Sequence, residues 1–251
     1  MTNSGEQKAK ILFLDIETAP AVAYVWGLHD QNISVNQIVR PGYILCWSAQ
    51  WMGGHMLFAK IQTGQVKMLK QMRDLLDEAD AVVHYNGASF DIPMLNREFM
   101  KHNITPPSPF KQIDLYRAIK HTARFDSGKL EFVAKDLQIG EKAHTGGFEL
   151  WDGCMKGDKT AWAKMEKYNR QDVSLLVTLY SRILPWIPNH PVLVAGTGAK
   201  CNKCGSSRLH RRGQAVVAGG AYPRYQCQDC ASWSRGTKLE VKRNQERLVS
   251  I

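Results

Sequence analysis

The chain has 251 residues, of which 44% are hydrophobic and 22% charged, and this composition predicts a globular protein with a sizeable core. The polar N-terminal segment lacks the apolar run of a signal peptide, and no stretch approaches the roughly 18 apolar residues of a membrane span. We therefore expect a cytoplasmic protein without membrane association, built from one main domain and a small accessory one.

The net charge of +10 is unevenly distributed along the chain. Residues 191–251 contain 11 lysines and arginines but only three acidic residues, whereas the first 190 residues contain 22 basic and 20 acidic ones. A basic segment of this kind predicts contact with a polyanion, most simply nucleic acid. A solvated basic tail without a partner is the alternative, and charge alone does not decide between them.

The first half of the chain shows the patterns of alternating strands and helices. Residues 10–16, 43–51 and 56–61 predict strands, which would form a three-stranded meander, while residues 19–41 lack periodicity and predict a long functional loop. Residues 66–79 then predict a helix, 81–84 a buried strand and 90–102 a second helix. This alternation indicates an α/β fold.

The second half of the chain predicts helices and then a domain boundary. The predicted helices span residues 113–121, 129–137 and 159–184. Prolines at 185, 188 and 191, followed by the Gly-rich residues 194–199, indicate a linker. We therefore expect one domain over residues 1–190 and a second over residues 191–251, with the boundary near residues 188–199.

Acidic side chains stand at three separated places on these predicted elements. Asp15 and Glu17 lie two residues apart on a strand, so both point to one face, where their mutual repulsion favours a bound cation. Asp91 follows a Gly turn near a helix N-terminus, where an N-cap is the alternative. Tyr168 and Asp172 share a helix face, where a surface contact is the alternative. In combination, the three places predict one metal site.

Three segments carry a resemblance to a known family: FLDIET, HYNGASFDIPML and YNRQDVSLL, at residues 13–18, 84–95 and 168–176. They resemble the three motifs of the DEDD superfamily, the DnaQ-like 3′-to-5′ exonucleases, in the subclass with tyrosine in the third motif. The resemblance covers about residues 10–185, and residues 125–139 are also similar to the segment between the second and third motifs. It implies a ribonuclease H-like α/β fold, with a mixed sheet flanked by helices.

The resemblance also implies an activity and its residues. Asp15, Glu17, Asp91 and Asp172 would hold two Mg²⁺ or Mn²⁺ ions, and Tyr168 would orient the attacking water during hydrolysis of phosphodiester bonds from a 3′ end. We expect DNA with a single-stranded 3′ end as the substrate, and RNA is the nearest alternative. The other alternative is a non-catalytic scaffold that docks to a polymerase or another replication protein.

Three further residues near the motifs are candidates for substrate contact. Thr18 and Asn86 flank the acids and could contact phosphate or sugar, or they could stabilise a strand end and a turn. Phe90 could wedge against a terminal base, but a core aromatic beside Asp91 is the interpretation we favour.

Four cysteines form two C-x₂-C pairs in the basic segment, Cys201 with Cys204 and Cys227 with Cys230, separated by 22 residues. Two such pairs predict a Cys₄ site for one structural Zn²⁺. We favour this zinc site over the two alternative interpretations, disulfides and a redox motif. The segment is similar to zinc ribbons of DNA-handling proteins. Its interleaved arginines and aromatic residues favour nucleic-acid contact, with protein docking as the alternative.

Overall fold

The computed structural model describes residues 9–140, 146–192 and 198–242. These residues belong to two compact units: the main unit, Lys10–Ser181, and the C-terminal unit, which contains the chain from Arg182 onward. The predicted boundary at residues 188–199 includes positions 193–197, which lie outside the described residues, as do the basic positions Arg243 and Arg247. The predicted division into two domains at residue 190 stays a prediction.

The main unit is organised around a mixed five-stranded sheet in the order β5-β4-β1-β6-β7. The strands before the first helix are β1 (Ile11–Ala19), β2 (Val22–Ala23), β3 (Ile38–Arg40), β4 (Tyr43–Trp51) and β5 (Met56–Lys60), and the later ones are β6 (Ala81–His84) and β7 (Lys111–Asp114). Strands β1, β4 and β5 are antiparallel, whereas β6 and β7 run parallel to β1. The predicted opening meander is therefore confirmed.

Six helices accompany this sheet in the described residues: α1 (Gln65–Glu78), α2 (Asp91–Lys101), α3 (Leu115–Thr122), α4 (Leu130–Asp136), α5 (Glu149–Met155) and α6 (Lys159–Ile183). The predicted α/β class, a mixed sheet flanked by helices, is confirmed. Among the described helices, none is both long enough and apolar enough to cross a membrane.

Strand β1 is the central strand, and its alternation assigns each side chain to one layer of the main unit. Leu12, Leu14 and Ile16 are buried in one apolar cluster with residues of α1 and α2. Phe13 points to the other side, where its ring lies 5.4 Å from the ring of Tyr180 in α6. Because side chains alternate along a strand, Asp15 and Glu17 share the α6 side of the sheet with Phe13.

Several elements differ from the sequence-based expectation. The predicted loop over residues 19–41 contains the hairpin of β2 and β3. The helix predicted from residue 113 begins at Leu115, because Ile113 and Asp114 belong to β7, which pairs with β6. β7 has four residues with one buried apolar side chain, which is too few for a periodic pattern.

The C-terminal unit contains a second sheet, made of β8 (Leu209–Val217), β9 (Gly220–Cys227), β10 (Trp233–Arg235) and β11 (Val241–Lys242). Strand β9 pairs antiparallel with each of the other three. Residues 201–206 and 227–232 form two similar turns that carry the four cysteines. In each turn the first cysteine donates its N–H to a serine carbonyl five residues later, Ser206 at 2.8 Å and Ser232 at 2.9 Å.

A buried histidine shapes the turn between β6 and α2. His84 is fully buried, its Nδ1 accepts the N–H of Gly87 at 3.1 Å, and its Nε2 lies 3.1 Å from Oε1 of Gln112. Burial lowers the pKa of His84, so the neutral ring that this pattern requires is favoured. A Cβ added to Gly87 would lie 2.5 Å from Cγ of His84, which explains why glycine occupies this position.

We expect Gly87→Ala to lower the free energy of unfolding of the main unit by about 1–3 kcal/mol, the usual cost of overpacking a buried site. Urea unfolding monitored by circular dichroism measures this change. Gly27→Ala is the matched control, because its nearest neighbour is the flexible Gln31 side chain at 3.1 Å. Equal stability of the two variants would contradict the steric explanation.

Candidate active site

Three carboxylates from two elements converge on the α6 side of the sheet. Asp15 and Glu17 extend from β1 and Asp172 extends from α6, and each offers an oxygen atom within 4.8 Å of the other two. Asp172 is 2% exposed, while Asp15 and Glu17 are half-buried. Carboxylate oxygens in such a group suit a hard divalent cation, which also removes their mutual repulsion. This carboxylate cluster could therefore hold metal.

Asp91, the fourth predicted acid, lies beside this cluster rather than within it. It is the first residue of α2 and is 5% exposed, and its Oδ1 accepts the N–H of Ile16 at 3.1 Å. Burial raises the pKa of the Asp91 carboxyl to about 6, although the hydrogen bond from Ile16 acts in the opposite direction. Ile16 separates Asp15 from Glu17 on β1, so Asp91 is bonded to the strand between the two other acids. A cation nearby would favour its charged form.

Tyr168 is buried on α6, four residues before Asp172. Residues spaced by four share a helix face, so the tyrosine and the aspartate face the sheet together. The ring of Tyr168 makes an edge contact with Trp151 of α5, with 6.2 Å between the ring centroids. This contact helps to fix the position of the tyrosine on the α6 side of the sheet.

The pKa of Cys46 is affected by the negative charge of the carboxylate cluster. It pairs with Glu17 in the β1–β4 ladder and is fully buried. Burial raises the pKa of the Cys46 thiol well above its ordinary value, and the charges of Glu17 and Asp15 raise it further. The thiol is therefore held in its neutral form beside the carboxylate cluster.

One residue of the site was missed by the sequence analysis. Asn169 is fully buried on α6, and its Nδ2 donates to Oδ2 of Asp15 at 2.7 Å and to the Asp15 carbonyl at 3.4 Å. This bond joins α6 to β1 at the carboxylate cluster and orients one of its members. The available signal was a polar residue on the buried face of α6, between apolar residues such as Met165 and Leu176.

A cleft of about 560 Å³ opens beside Asp15 and Asp172, a volume within the range of about 300–1,000 Å³ that is typical of small-ligand sites. The remaining residues that line it are Tyr85, Asn86, Tyr116, Gly128, Lys129, Leu130 and Glu131. Tyr85 donates its hydroxyl to the Gly128 carbonyl at 2.7 Å, and its ring makes an edge contact with Tyr116 at 5.7 Å. These contacts fix one wall of the cleft.

The three candidates for substrate contact occupy different surroundings. Asn86 lines the cleft in a left-handed conformation with φ of 64°, and its N–H donates to Oδ1 of Asp114 at 3.0 Å. Thr18 is half-buried on β1, directly after a register shift in the pairing with β4. Phe90 is 44% exposed, so the interpretation of Phe90 as a core aromatic is wrong. A role in substrate contact stays a prediction for all three.

The four cysteines of the C-terminal unit also converge. Each offers a sulfur within 4.8 Å of the other three, with 3.5 Å between Cys201 and Cys230 and 3.6 Å between Cys204 and Cys227. Backbone N–H groups of Lys203 and Cys204 are hydrogen-bonded to the sulfur of Cys201. The equivalent groups, from Asp229 and Cys230, are bonded to that of Cys227. This four-cysteine cluster is a second group that could hold metal.

A protein-family model described as the RNase H superfamily matches residues 49–184, which is more than half of the chain. The chain belongs to the RNase H superfamily. The matched segment includes Asp91, Asn169 and Asp172, whereas β1 with Asp15 and Glu17 precedes it. The superfamily thus accounts for most of the main unit, and the four-cysteine cluster lies outside the match.

Solved structures show the same fold. The structure of the family B DNA polymerase from the hyperthermophilic archaeon Pyrobaculum calidifontis is similar with a TM-score of 0.53 and 15% sequence identity. The similarity covers 71% of this RNase H superfamily chain and 25% of the polymerase, so this chain corresponds to about a quarter of the polymerase's length. At this identity the likeness supports the fold alone. No curated protein matches the chain.

We expect Asn169→Ala to weaken divalent-metal binding about tenfold, because partners that orient metal ligands typically contribute factors of about 10–100. Asn169→Asp should weaken it at least as much, since the donor N–H is replaced by an oxygen that repels Asp15. Titration of the purified protein with Mn²⁺ in a calorimeter measures the dissociation constant. Ser174→Ala, an exposed change on the same helix, should leave it unchanged. Unaltered Mn²⁺ affinity in both Asn169 variants would contradict the proposed role of Asn169 in orienting Asp15.

Proposed function

We propose that this protein is a metal-dependent 3′-to-5′ exonuclease of the tyrosine-containing DEDD type, which hydrolyses phosphodiester bonds at the 3′ end of DNA. The observation that carries the proposal is the convergence of Asp15, Glu17 and Asp172 within 4.8 Å in an RNase H superfamily fold. Three acids from two distant segments meet, two of them lining a cleft, and a purely structural role gives no reason for bringing them together.

The donor set fits a pair of Mg²⁺ or Mn²⁺ ions. Asp15, Glu17 and Asp172 supply clustered oxygens, and Asp91 supplies a buried carboxyl on the adjoining element, bonded to the N–H of Ile16. When bound, such ions activate a water molecule for attack on phosphorus and stabilise the charge on the oxygen that leaves. Hard oxygen ligands of this kind favour Mg²⁺ and Mn²⁺ over softer ions.

The protein's own residues supply orientation. The Asn169 amide holds Asp15, and the Ile16 N–H holds Asp91, so each of these two acids has a directed hydrogen bond to the scaffold. Tyr168, one turn before Asp172, positions the attacking water through its hydroxyl. An ordinary phenol has a pKa of about 10 and stays protonated at neutral pH, so it positions the water rather than deprotonating it.

The cleft beside the carboxylate cluster receives the 3′-terminal nucleotide in this proposal. Asn86 and Lys129, which line it, contact phosphate or sugar, and the aromatic wall of Tyr85 and Tyr116 lies against the nucleoside. Thr18 and Phe90 extend the substrate contacts. DNA is the proposed substrate, and nucleic acid is the main partner. A cytoplasmic location stays a prediction from the sequence.

We also propose that the four-cysteine cluster binds one structural Zn²⁺. Zinc–sulfur bonds of about 2.3 Å in a tetrahedron separate the sulfurs by about 3.8 Å, close to the 3.5 Å and 3.6 Å between the opposed cysteines. Four thiolates complete the tetrahedron and leave no open position, so the site is structural rather than catalytic.

The exonuclease is tested with DNA and RNA oligonucleotides, single-stranded and duplex, labelled at the 5′ or the 3′ end, in the presence of Mg²⁺. We expect early release of the 3′ label as a mononucleotide and stepwise shortening of the 5′-labelled DNA strand. Asp15→Ala and Asp172→Ala should lower the rate about 1,000-fold or more, since metal-based stabilisation amounts to several kcal/mol. Tyr168→Phe should lower it about 10- to 100-fold, the cost of a misplaced reactant.

Asp74→Ala is the matched control for these acids. It removes an exposed carboxylate from α1, a helix whose buried residues pack on the opposite side of the sheet, and it should retain full activity. Full activity of Asp15→Ala, or release of the 5′ label first, would overturn the proposal. Faster digestion of RNA than of DNA would overturn the proposed substrate.

Metal analysis by mass spectrometry tests the zinc. We expect one zinc per chain in the purified protein, and its loss in Cys201→Ser and Cys227→Ser, because a thiolate ligand is removed. Cys154→Ala, at a cysteine outside the cluster, should keep the zinc. Chelation should accelerate proteolysis within residues 198–242, as the metal supplies folding free energy to such small units. Zinc retained by both serine variants would refute the site.

A further inference from the structure

One face of the C-terminal sheet carries a row of alternating aromatic and arginine side chains. Tyr222 and Arg224 lie two residues apart on β9, and Arg235 of β10 pairs directly with Arg224. Trp233 lies two residues before Arg235, so the pleat of the two strands directs all four side chains to one face. We call these four residues the arginine–aromatic ladder.

The ladder is held together by contacts that cross between the two strands. The guanidinium of Arg224 lies 5.0 Å from the ring centroid of Trp233, and that of Arg235 lies 4.2 Å from the ring centroid of Tyr222. Both distances are within the range of cation–π contacts. Trp233 is nevertheless 49% exposed, so much of its ring remains available for a further contact.

The charges of the ladder are not neutralised by the acids described in its unit. Over residues 198–242 the acidic side chains are Asp229 and Glu240, and these pair with Arg208 and Arg211. Arg224 and Arg235 thus have no carboxylate partner among these residues. They also lie directly opposite each other, an arrangement that destabilises a sheet when both side chains carry the same charge. Anions bound at the two guanidinium groups would remove this repulsion.

We propose that the arginine–aromatic ladder binds an unpaired strand of nucleic acid, with phosphates at Arg224 and Arg235 and bases stacked on Trp233 and Tyr222. This inference rests on the proposed function, because it makes the ladder the surface that retains the substrate of the exonuclease. The exposed ring of Trp233 and the half-buried ring of Tyr222, each beside a guanidinium group, match the alternating bases and phosphates of a single strand. A duplex hides the base faces, and an acidic peptide has no bases to stack.

Binding of a fluorescein-labelled oligothymidylate to the full-length protein, followed by anisotropy at several salt concentrations, tests this inference. Asp15→Asn is present throughout, so that the oligonucleotide stays intact. We expect R224A/R235A to weaken binding about tenfold and to reduce the slope of log K against log salt by about 1.4, which is about 0.7 for each lost phosphate contact. W233A should weaken binding while leaving the salt slope unchanged, because stacking releases no counterions.

R208A/R211A is the matched control, since it removes the same formal charge from arginines that are already paired with Asp229 and Glu240. It should change the affinity and the salt slope much less. Equal effects of the two double variants would contradict the proposal that the ladder binds the strand, and would indicate only non-specific electrostatic attraction. Tighter binding of an acidic peptide than of the oligonucleotide would also contradict the proposal. If R224A/R235A loses its zinc, R224Q/R235Q, which keeps an uncharged polar side chain with part of the aliphatic stem, is measured in its place, and the same results support or contradict the proposal.

A one-nucleotide substrate separates this inference from the proposed function. The p-nitrophenyl ester of thymidine 5′-monophosphate reports hydrolysis without a strand to retain. We expect R224A/R235A, with Asp15 intact, to hydrolyse the ester at the wild-type rate and to digest a long single strand more slowly at low concentration. Absence of ester and oligonucleotide hydrolysis in the wild-type protein would refute the exonuclease, while the anisotropy measurement would still decide the ladder.

Discussion

Mutual repulsion among Asp15, Glu17 and Asp172 is the constraint on which the arrangement of the main unit depends. Their oxygens lie within 4.8 Å of one another, a separation that favours protonation or movement apart unless the scaffold and a cation prevent both. The scaffold part is visible in the structure. At Asp15 and Glu17 the strand β1 is paired with β4, and its Ile16 N–H is bonded to Asp91, so the strand is held in place there, while the Asn169 amide bonds Asp15 from α6. Two elements are thereby joined at the place where charge would separate them.

The apolar packing around the carboxylate cluster explains how the protein tolerates the repulsion among these carboxylates. α6 contributes a buried apolar stripe that begins with Trp162 and Met165 and resumes with Leu176, and the polar residues of the site interrupt it only in the middle. Beyond the site, the contact between Phe13 and Tyr180 holds α6 to β1. Apolar burial therefore continues on both sides of the polar segment, and it offsets the cost of placing a carboxylate and an amide in the interior.

Sequence reasoning predicted those parts of the fold that have a clear period. The alternation of β1 placed Asp15 and Glu17 on one face, and the helical spacing of Tyr168 and Asp172 placed both on one side of α6. Strand β7 escaped prediction because only one of its four residues is a buried apolar residue, whereas the equally short β6 is buried throughout. Asn169 escaped because its role depends on a bond to a residue 154 positions away, which local pattern does not reveal. Phe90 was misjudged because the tight turn before α2 leaves it exposed.

The distribution of charge along the chain gives the two units complementary roles in the proposed function. A group of clustered carboxylates repels a phosphate backbone until cations bind, so the carboxylate cluster by itself is a poor attractor for nucleic acid. The first 190 residues carry 22 basic and 20 acidic side chains, whereas 11 basic side chains follow residue 191. Long-range attraction must therefore come mainly from the basic C-terminal segment. Chemistry that requires concentrated negative charge is thus separated, along the chain, from the positive charge that attracts the substrate.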